Sequence, residues 1–378
     1  MRRETLFVLN IAMALVCIGL VMSYSAGIGR PQAGGQLSDP LNYLKSHAMY
    51  AGIGVGLMLL AARMDYRIWQ ARPVFWLMAG SALAALVLVL IIGDEVRGAR
   101  RWLNLFGFSF QPSEVAKLVL IVALAVKLSE NQDHVRKFWR GFVPAIIITG
   151  VFAGLVLLEQ DLGTPVVMGT VAIAMIFMAG GKLWHIALVA GPAIFGVVSA
   201  VKASPERMER IASFLDPWKY RSDGALQLIE SMTGFVRGGM WGRGLGAGEQ
   251  KLYWLPDAHS DFVFSVWGEE MGLAGTIALV VLFGLFLVAS LRIAVCARDL
   301  FGTLLASGVS TLIVVQAAAN MGVTTGMLPT KGLGLPFISA GGSSLVINMV
   351  LVGILLSVGS RAIERDIPVP IAATPRRA

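Results

Sequence analysis

Asp261 lies inside the stretch Leu-Pro-Asp-Ala-His-Ser-Asp-Phe (255–262), where a wet, glycine-rich segment meets an apolar run beginning Phe262, Val263, Phe264. A carboxylate at such a boundary is partly desolvated, which favours proton acceptance and suits a general base. His259 and Asp257 stand close by in sequence. The competing reading is plain helix capping, for which aspartate before an apolar run is a common choice.

Five other groups could join such chemistry. Gln-Pro-Ser-Glu-Val-Ala-Lys (111–117) opens an apolar run and puts Glu114 and Lys117 on one helix face, three residues apart. Ionisable residues inside a span face the bundle interior or a water-filled cavity. Arg100 and Arg101 precede Trp102, and guanidinium forks match phosphate oxygens, although interfacial anchoring gives the same pattern. Glu159 and Asp161 flank Gln160 at a turn. Paired acids of this kind can share a divalent ion, Mg or Mn, with a pyrophosphate, or simply cap the next helix. Lys331 follows Leu-Pro-Thr. Ser339, Gly341, Gly342 and Ser343 then offer donors for an anion at a helix start. The glycine-rich segment 234–248 interleaves Arg237 and Arg243 with glycines that allow close backbone approach.

The elements that must position these groups are membrane helices. The chain has 378 residues, 56% of them hydrophobic and 14% charged, with mean hydropathy +0.73. A soluble domain carries far more charge. Apolar runs long enough to span a bilayer recur at 6–27, 47–62, 73–93, 113–129, 141–158, 163–181, 184–202, 262–291, 302–323 and 343–360. The expected fold is an all-α integral membrane protein of ten transmembrane helices. Strands are not expected, since the runs are too long and continuous for a barrel. The first run is kept as a helix rather than a cleaved leader.

Lys and Arg gather in the segments that lie inside if the N-terminus is inside. The short outer loops hold only Arg30, Lys45, Arg97, Arg100, Arg101 and Lys331. Both termini are therefore expected in the cytoplasm, and every informative loop (93–112, 159–164, 203–261 and 328–343) faces outward. Residues 1–361 form the spanning domain, with 203–261 as a large outer loop. Within that loop 206–214 and 225–236 are candidate amphipathic helices. Residues 362–378 read as a disordered tail. The net charge of +8 is dispersed over short loops, which argues against a nucleic-acid partner. Cys17 and Cys296 are too isolated for a disulfide framework or a metal site. No internal repeat is visible, which disfavours an inverted-repeat transporter.

Taken together, Gly-Ala-Arg-Arg-Trp (98–102), Gln-Pro-Ser-Glu-Val-Ala-Lys (111–117), Gln-Lys-Leu-Tyr-Trp-Leu-Pro-Asp-Ala-His-Ser-Asp-Phe (250–262), Gly-Glu-Glu-Met-Gly (268–272), Leu-Pro-Thr-Lys-Gly (328–332) and Phe-Ile-Ser-Ala-Gly-Gly-Ser-Ser (337–344) resemble the SEDS family of shape, elongation, division and sporulation proteins. The match runs in order along essentially the whole chain. Leu-Pro-Thr-Lys-Gly tips it towards the cell-division member over the elongation member. There are departures from the family pattern. Ala340 stands where a tyrosine is usual, Gln160 where proline is common, Ser260 for threonine and Asp257 for glutamate.

The resemblance implies a ten-span peptidoglycan glycosyltransferase of the bacterial cytoplasmic membrane. Such an enzyme polymerises lipid II into nascent glycan on the outer face, beside a class B penicillin-binding protein and other membrane proteins of the division or elongation complex. It implies that Asp261 is the essential acid, and that Glu114 and Lys117 carry over. The expected reaction is a single inverting displacement with Asp261 as base, since no covalent nucleophile is apparent. Arg100, Arg101, Lys117, Arg243 and Lys331 are candidates to meet the leaving pyrophosphate. Asp161, His259 and Ser343 are further candidates to bind substrate, and Glu159 with Asp161 to hold a divalent cation. The alternatives are a lipid II flippase, a polymerase of the elongation type and a non-enzymatic scaffold.

Overall fold

The computed structural model describes residues 3–28, 40–96, 99–105, 108–220, 225–253 and 258–362. Gly98, Asp257 and the expected tail from 363 onward lie outside the described residues.

Ten long helices coincide with the ten apolar runs. They are α1 (Arg3–Gly27), α2 (Pro40–Arg63), α3 (Arg72–Ile92), α4 (Pro112–Glu130), α5 (Val143–Leu158), α6 (Gly163–Met178), α7 (Leu183–Lys202), α11 (Val263–Val295), α12 (Leu300–Thr324) and α13 (Gly342–Ser360). The segment 203–261 adds α8 (Pro205–Leu215), α9 (Leu226–Gly238) and the single turn α10 (Gln250–Tyr253). Among the described residues, seven helices are long and apolar enough to cross a membrane; α6 is apolar but shorter. α4 falls outside the seven because Glu114, Lys117, Lys127 and Glu130 interrupt it.

The centre of the bundle is α12 and α13, whose most apolar windows are each 72% buried, against 22% for α3 at the periphery. In water an all-round apolar helix would be buried. Here the exposed Trp76, Leu77, Ile91 and Ile92 of α3 form a face suited to lipid. α13 crosses α2 so closely that Gly353 rests on the main-chain carbonyl of Met58, which only a residue without Cβ permits.

Two features depart from expectation. Loop 93–112 contains strands: β1 (Asp94–Val96), β2 (Ala99–Leu105) and β3 (Phe108–Phe110) form an antiparallel sheet in that order, with Asp94 opposite Trp102 and Leu103 opposite Phe110. The ban on open strands holds only inside hydrocarbon, and this sheet lies between α3 and α4. Second, α11, expected as one run over 262–291, is not continuous. Gly272 adopts φ +66, ψ −167, which breaks the helix into a short N-terminal piece ending at Met271 and a long apolar piece from Leu273.

That break is where the glycine-rich segment docks. Leu273 N donates to Gly239 O and Ala274 N to Met240 O, while Arg243 N and Gly244 N donate to the carbonyls of Glu269 and Glu270. Segment 239–244 is thus held by main-chain bonds at a fixed place, unlike a flexible connector. α9 is held in turn by Ser231, whose hydroxyl donates to Thr324 O, and whose carbonyl accepts from the Ser265 hydroxyl.

Candidate functional site

Asp261 lies in the turn leading into α11 and is half-buried. The N-cap position itself belongs to Phe262, whose side chain makes no capping bond. Two elements clamp the turn. On one side Asn320, near the C-terminal end of α12 and 1% exposed, uses its single amide nitrogen to donate to the carbonyls of both Asp261 (2.7 Å) and Leu333 (2.6 Å). On the other, the Ser339 hydroxyl donates to Ser260 O and accepts from Leu335 N, while Ala340 N donates to His259 O. The His259 ring packs edge-on against Tyr43, with centroids 5.4 Å apart. The Asp261 carboxylate lies over the backbone of Gly332: a Cβ there would sit 3.1 Å from Oδ2. The loops 258–262 and 331–340, remote in sequence, are therefore one unit.

Lys331 adjoins Gly332 in the chain and so brings a cation into the same loop. Burial holds its ammonium below the ordinary 10.5; Asp161 opposes that shift and Arg210 adds to it. Both groups are thus within electrostatic reach. Arg210, on α8, was not among the residues singled out from sequence. Nothing local marks it, because its relevance depends on where the amphipathic α8 settles.

The acidic turn resolves into two different roles. Asp161 works as a cap: Oδ1 accepts from Gly163 N (2.8 Å) and Thr164 N (3.2 Å), and Oδ2 accepts from the Thr164 hydroxyl (2.8 Å). Glu159 is 1% exposed, and neither carboxyl oxygen has a hydrogen-bond partner. Burial first, and the Asp161 charge second, push its pKa up to about 8 against the pull of Arg101. It carries a proton at neutral pH. A protonated acid beside a carboxylate already engaged by its own helix does not by itself make a metal site. Among the described residues no cluster of three or more His, Cys, Asp or Glu could hold an ion.

A pH prediction follows for Glu159. The unfolded chain ionises this group near 4.5, while the folded chain retains the proton to about 8. Unfolding then releases a proton across that window, so wild-type stability falls as pH rises from 4.5 to about 8 and levels off beyond it. Glu159→Gln cannot titrate. Its melting temperature should decline less than that of the wild type over this range, as a thermal-unfolding series against pH would show.

The arginines expected to meet phosphate have protein partners. Arg101 donates from Nε to Glu159 O (3.2 Å) and from Nη2 to Gln160 O (2.8 Å), tying β2 to the α5–α6 turn, where Gln160 is held at φ +63. Arg100 pairs with Glu95 at 3.4 Å on the exposed sheet. Arg243 shares Glu249 with Arg237, each pair at 2.9 Å. Lys117 and Glu114 pair at 2.8 Å, with side chains 2% and 9% exposed. Ser343 sits in the first turn of α13 with a buried hydroxyl lacking a partner.

Sequence reasoning also passed over Lys251, Glu269 and Glu270 as working residues. All three are buried, and they tie the 246–251 segment to the first piece of α11. Carboxylates within Gly-Glu-Glu-Met-Gly were the available signal, since acids this close to an apolar run need partners.

Comparison with known proteins agrees with this architecture. The profile of the FtsW–RodA–SpoVE group, described as cell cycle protein, matches residues 5–363. "Probable peptidoglycan glycosyltransferase FtsW" of Geobacter sp. (strain M18) is 43% identical over 94% of this chain and 96% of that protein. Stage V sporulation protein E of Bacillus subtilis (strain 168) is 37% identical over 93% and 96%. Among solved structures, a chain from a peptidoglycan synthase complex that coordinates polymerization and crosslinking superposes with TM-score 0.75 at 30% identity, covering 93% of this chain and 96% of that one. The rod shape determining protein RodA of Thermus thermophilus gives 0.69 at 28%, covering 95% and 97%. With the family profile matched along nearly its whole length, this helical membrane protein belongs to the FtsW–RodA–SpoVE family, the SEDS proteins.

Proposed function

We propose that this chain is a peptidoglycan glycosyltransferase that polymerises lipid II on the outer face of the bacterial cytoplasmic membrane during cell division. The observation that carries the reading is the clamped Asp261 turn, with Lys331 and Arg210 close by, in a chain 43% identical to a protein named for that activity. The ten long helices are read as ten spans with both termini inside, which puts the 258–262 and 331–340 unit at the outer water boundary.

In this mechanism the acceptor lipid II presents its sugar 4-hydroxyl to the Asp261 carboxylate. The hydroxyl oxygen attacks the anomeric carbon of the growing glycan. The bond to undecaprenyl pyrophosphate breaks, the leaving group takes the electron pair, and Asp261 takes the proton. A single displacement inverts the anomeric centre. The pyrophosphate charge is met by Lys331 and Arg210, whose mutual repulsion an anion would relieve. A divalent ion such as Mg or Mn would be held chiefly by the pyrophosphate, since such ions commonly bind through one or two carboxylates plus substrate phosphates. The partner is taken to be a class B penicillin-binding protein, in keeping with the matched synthase complex.

A lipid II flippase is the second reading, favoured by the buried charges of α4. Those charges, however, satisfy each other. The test is glycan synthesis by the purified chain with its crosslinking partner and labelled lipid II. Polymer is the expected product. Movement of lipid II across liposomes with no polymer formed would overturn the proposal.

A further inference from the structure

We propose that Lys251, Ser25 and Glu270 act as positioning residues for Asp261. They form a buried ionic hub that fixes the outer piece of α11, and with it the turn that carries the base. The inference rests on the glycosyltransferase reading.

The Lys251 ammonium and the Glu270 carboxylate are 2.6 Å apart, and both side chains are 0% exposed. Lys251 Nζ also donates to the Ser25 hydroxyl (2.7 Å) and to Gly246 O (2.9 Å), so all three of its N–H groups have acceptors. Ser25 in turn donates to Glu270 Oε1 at 2.6 Å. One cation therefore joins the end of α1, the glycine-rich loop and the outer piece of α11. The neighbouring Glu269 adds a second link, accepting from the main-chain N–H groups of Glu249 (3.0 Å) and Gln250 (3.1 Å). The loop packs directly on both acids: a Cβ at Gly248 would lie 3.0 Å from Glu269 Oε2 and 3.1 Å from Glu270 Oε1.

The geometry connects this hub to the base. α11 begins at Val263, two residues after Asp261, and is unbroken as far as the Gly272 kink. Its outer piece is a rigid rod of about 13 Å at 1.5 Å per residue. Asp261 precedes one end, and the hub grips the other. Apolar side chains would hold such a rod at least as firmly, because a buried ion pair gains little net stability over a hydrophobic replacement. Directional bonds add a fixed register. A rod free to rotate or slide would carry the carboxylate with it, and a misplacement of about 1 Å can cost on the order of 10²-fold in rate.

The decisive variant is Lys251→Met/Glu270→Met in the full chain, which removes both charges together. It is assayed with the crosslinking partner and labelled lipid II, alongside wild type and Asp261→Asn. The expected result is a kcat lower by about 10- to 100-fold with KM little changed, and faster amide hydrogen exchange in residues 258–262. A second variant, Ser25→Ala, keeps the direct ion pair and should show the same pattern in milder form with its melting temperature preserved. Wild-type kcat and unchanged exchange at 258–262 in either folded variant would overturn the inference. No polymer from wild type would instead bring down the glycosyltransferase reading, and near-normal polymer from Asp261→Asn would bring down the base assignment. In that case the exchange measurement still decides the positioning claim.

Discussion

Asp261→Asn is expected to reduce glycan polymerisation by about 10²–10⁴-fold, the range that a positioned general base supplies. The substitution keeps shape and volume and removes only the capacity to take a proton. The main-chain carbonyl of Asp261 still accepts from Asn320, and the turn keeps the Ser339 and Ala340 bonds, so the fold should survive. Loss confined to the chemical step leaves KM for lipid II near its wild-type value and lowers kcat. Single-turnover assays with labelled lipid II, on protein shown to be folded by its melting profile, separate these quantities. Near-normal polymer from the folded variant would mean that some other group accepts the proton.

Lys117→Met carries the largest expected cost to stability. It leaves the Glu114 carboxylate buried in the first turns of α4 without its cation. Breaking a buried pair from one side costs about 3–5 kcal/mol. Removing both charges, as in Glu114→Gln/Lys117→Met, should recover most of that loss, because no uncompensated charge remains. Thermal unfolding in detergent or nanodiscs measures both. If the double variant is stable and polymerises normally, the pair is structural. If it is stable but inactive, the charges serve the substrate. A single variant as stable as wild type would show that Glu114 has another partner or is neutral.

Much of the architecture could be read directly from residue order. Helix-length apolar runs with charged ends can do little else in a bilayer, and all ten coincide with helices. Glu206 to Phe214 and the run from Ala225 also became amphipathic helices, as their periodicity required. The site was legible in part. Asp261, Lys331 and Ser339 stood out through residue type next to glycine or an apolar run, and they lie in one unit.

What escaped notice depends on partners distant in sequence. Arg101 looks like a phosphate fork until the carbonyls of Glu159 and Gln160, 58 and 59 residues away, are seen to occupy it. Lys251 and Ser25 are 226 residues apart. Asn320 is one of several polar residues in α12, and only the arrival of two loops at its amide reveals its task. Gly272 reads as an ordinary glycine in a long span, because a break in a helix leaves no mark on hydropathy.

The shared amide of Asn320 has a mechanical corollary. Its nitrogen has just two hydrogens, and one goes to the segment bearing the acid while the other goes to the segment bearing the lysine. Neither strap can be tugged aside without loosening a bond to the other. If a pyrophosphate docks at Lys331 as proposed, any shift it causes in that segment would reach the Asp261 segment through this one side chain.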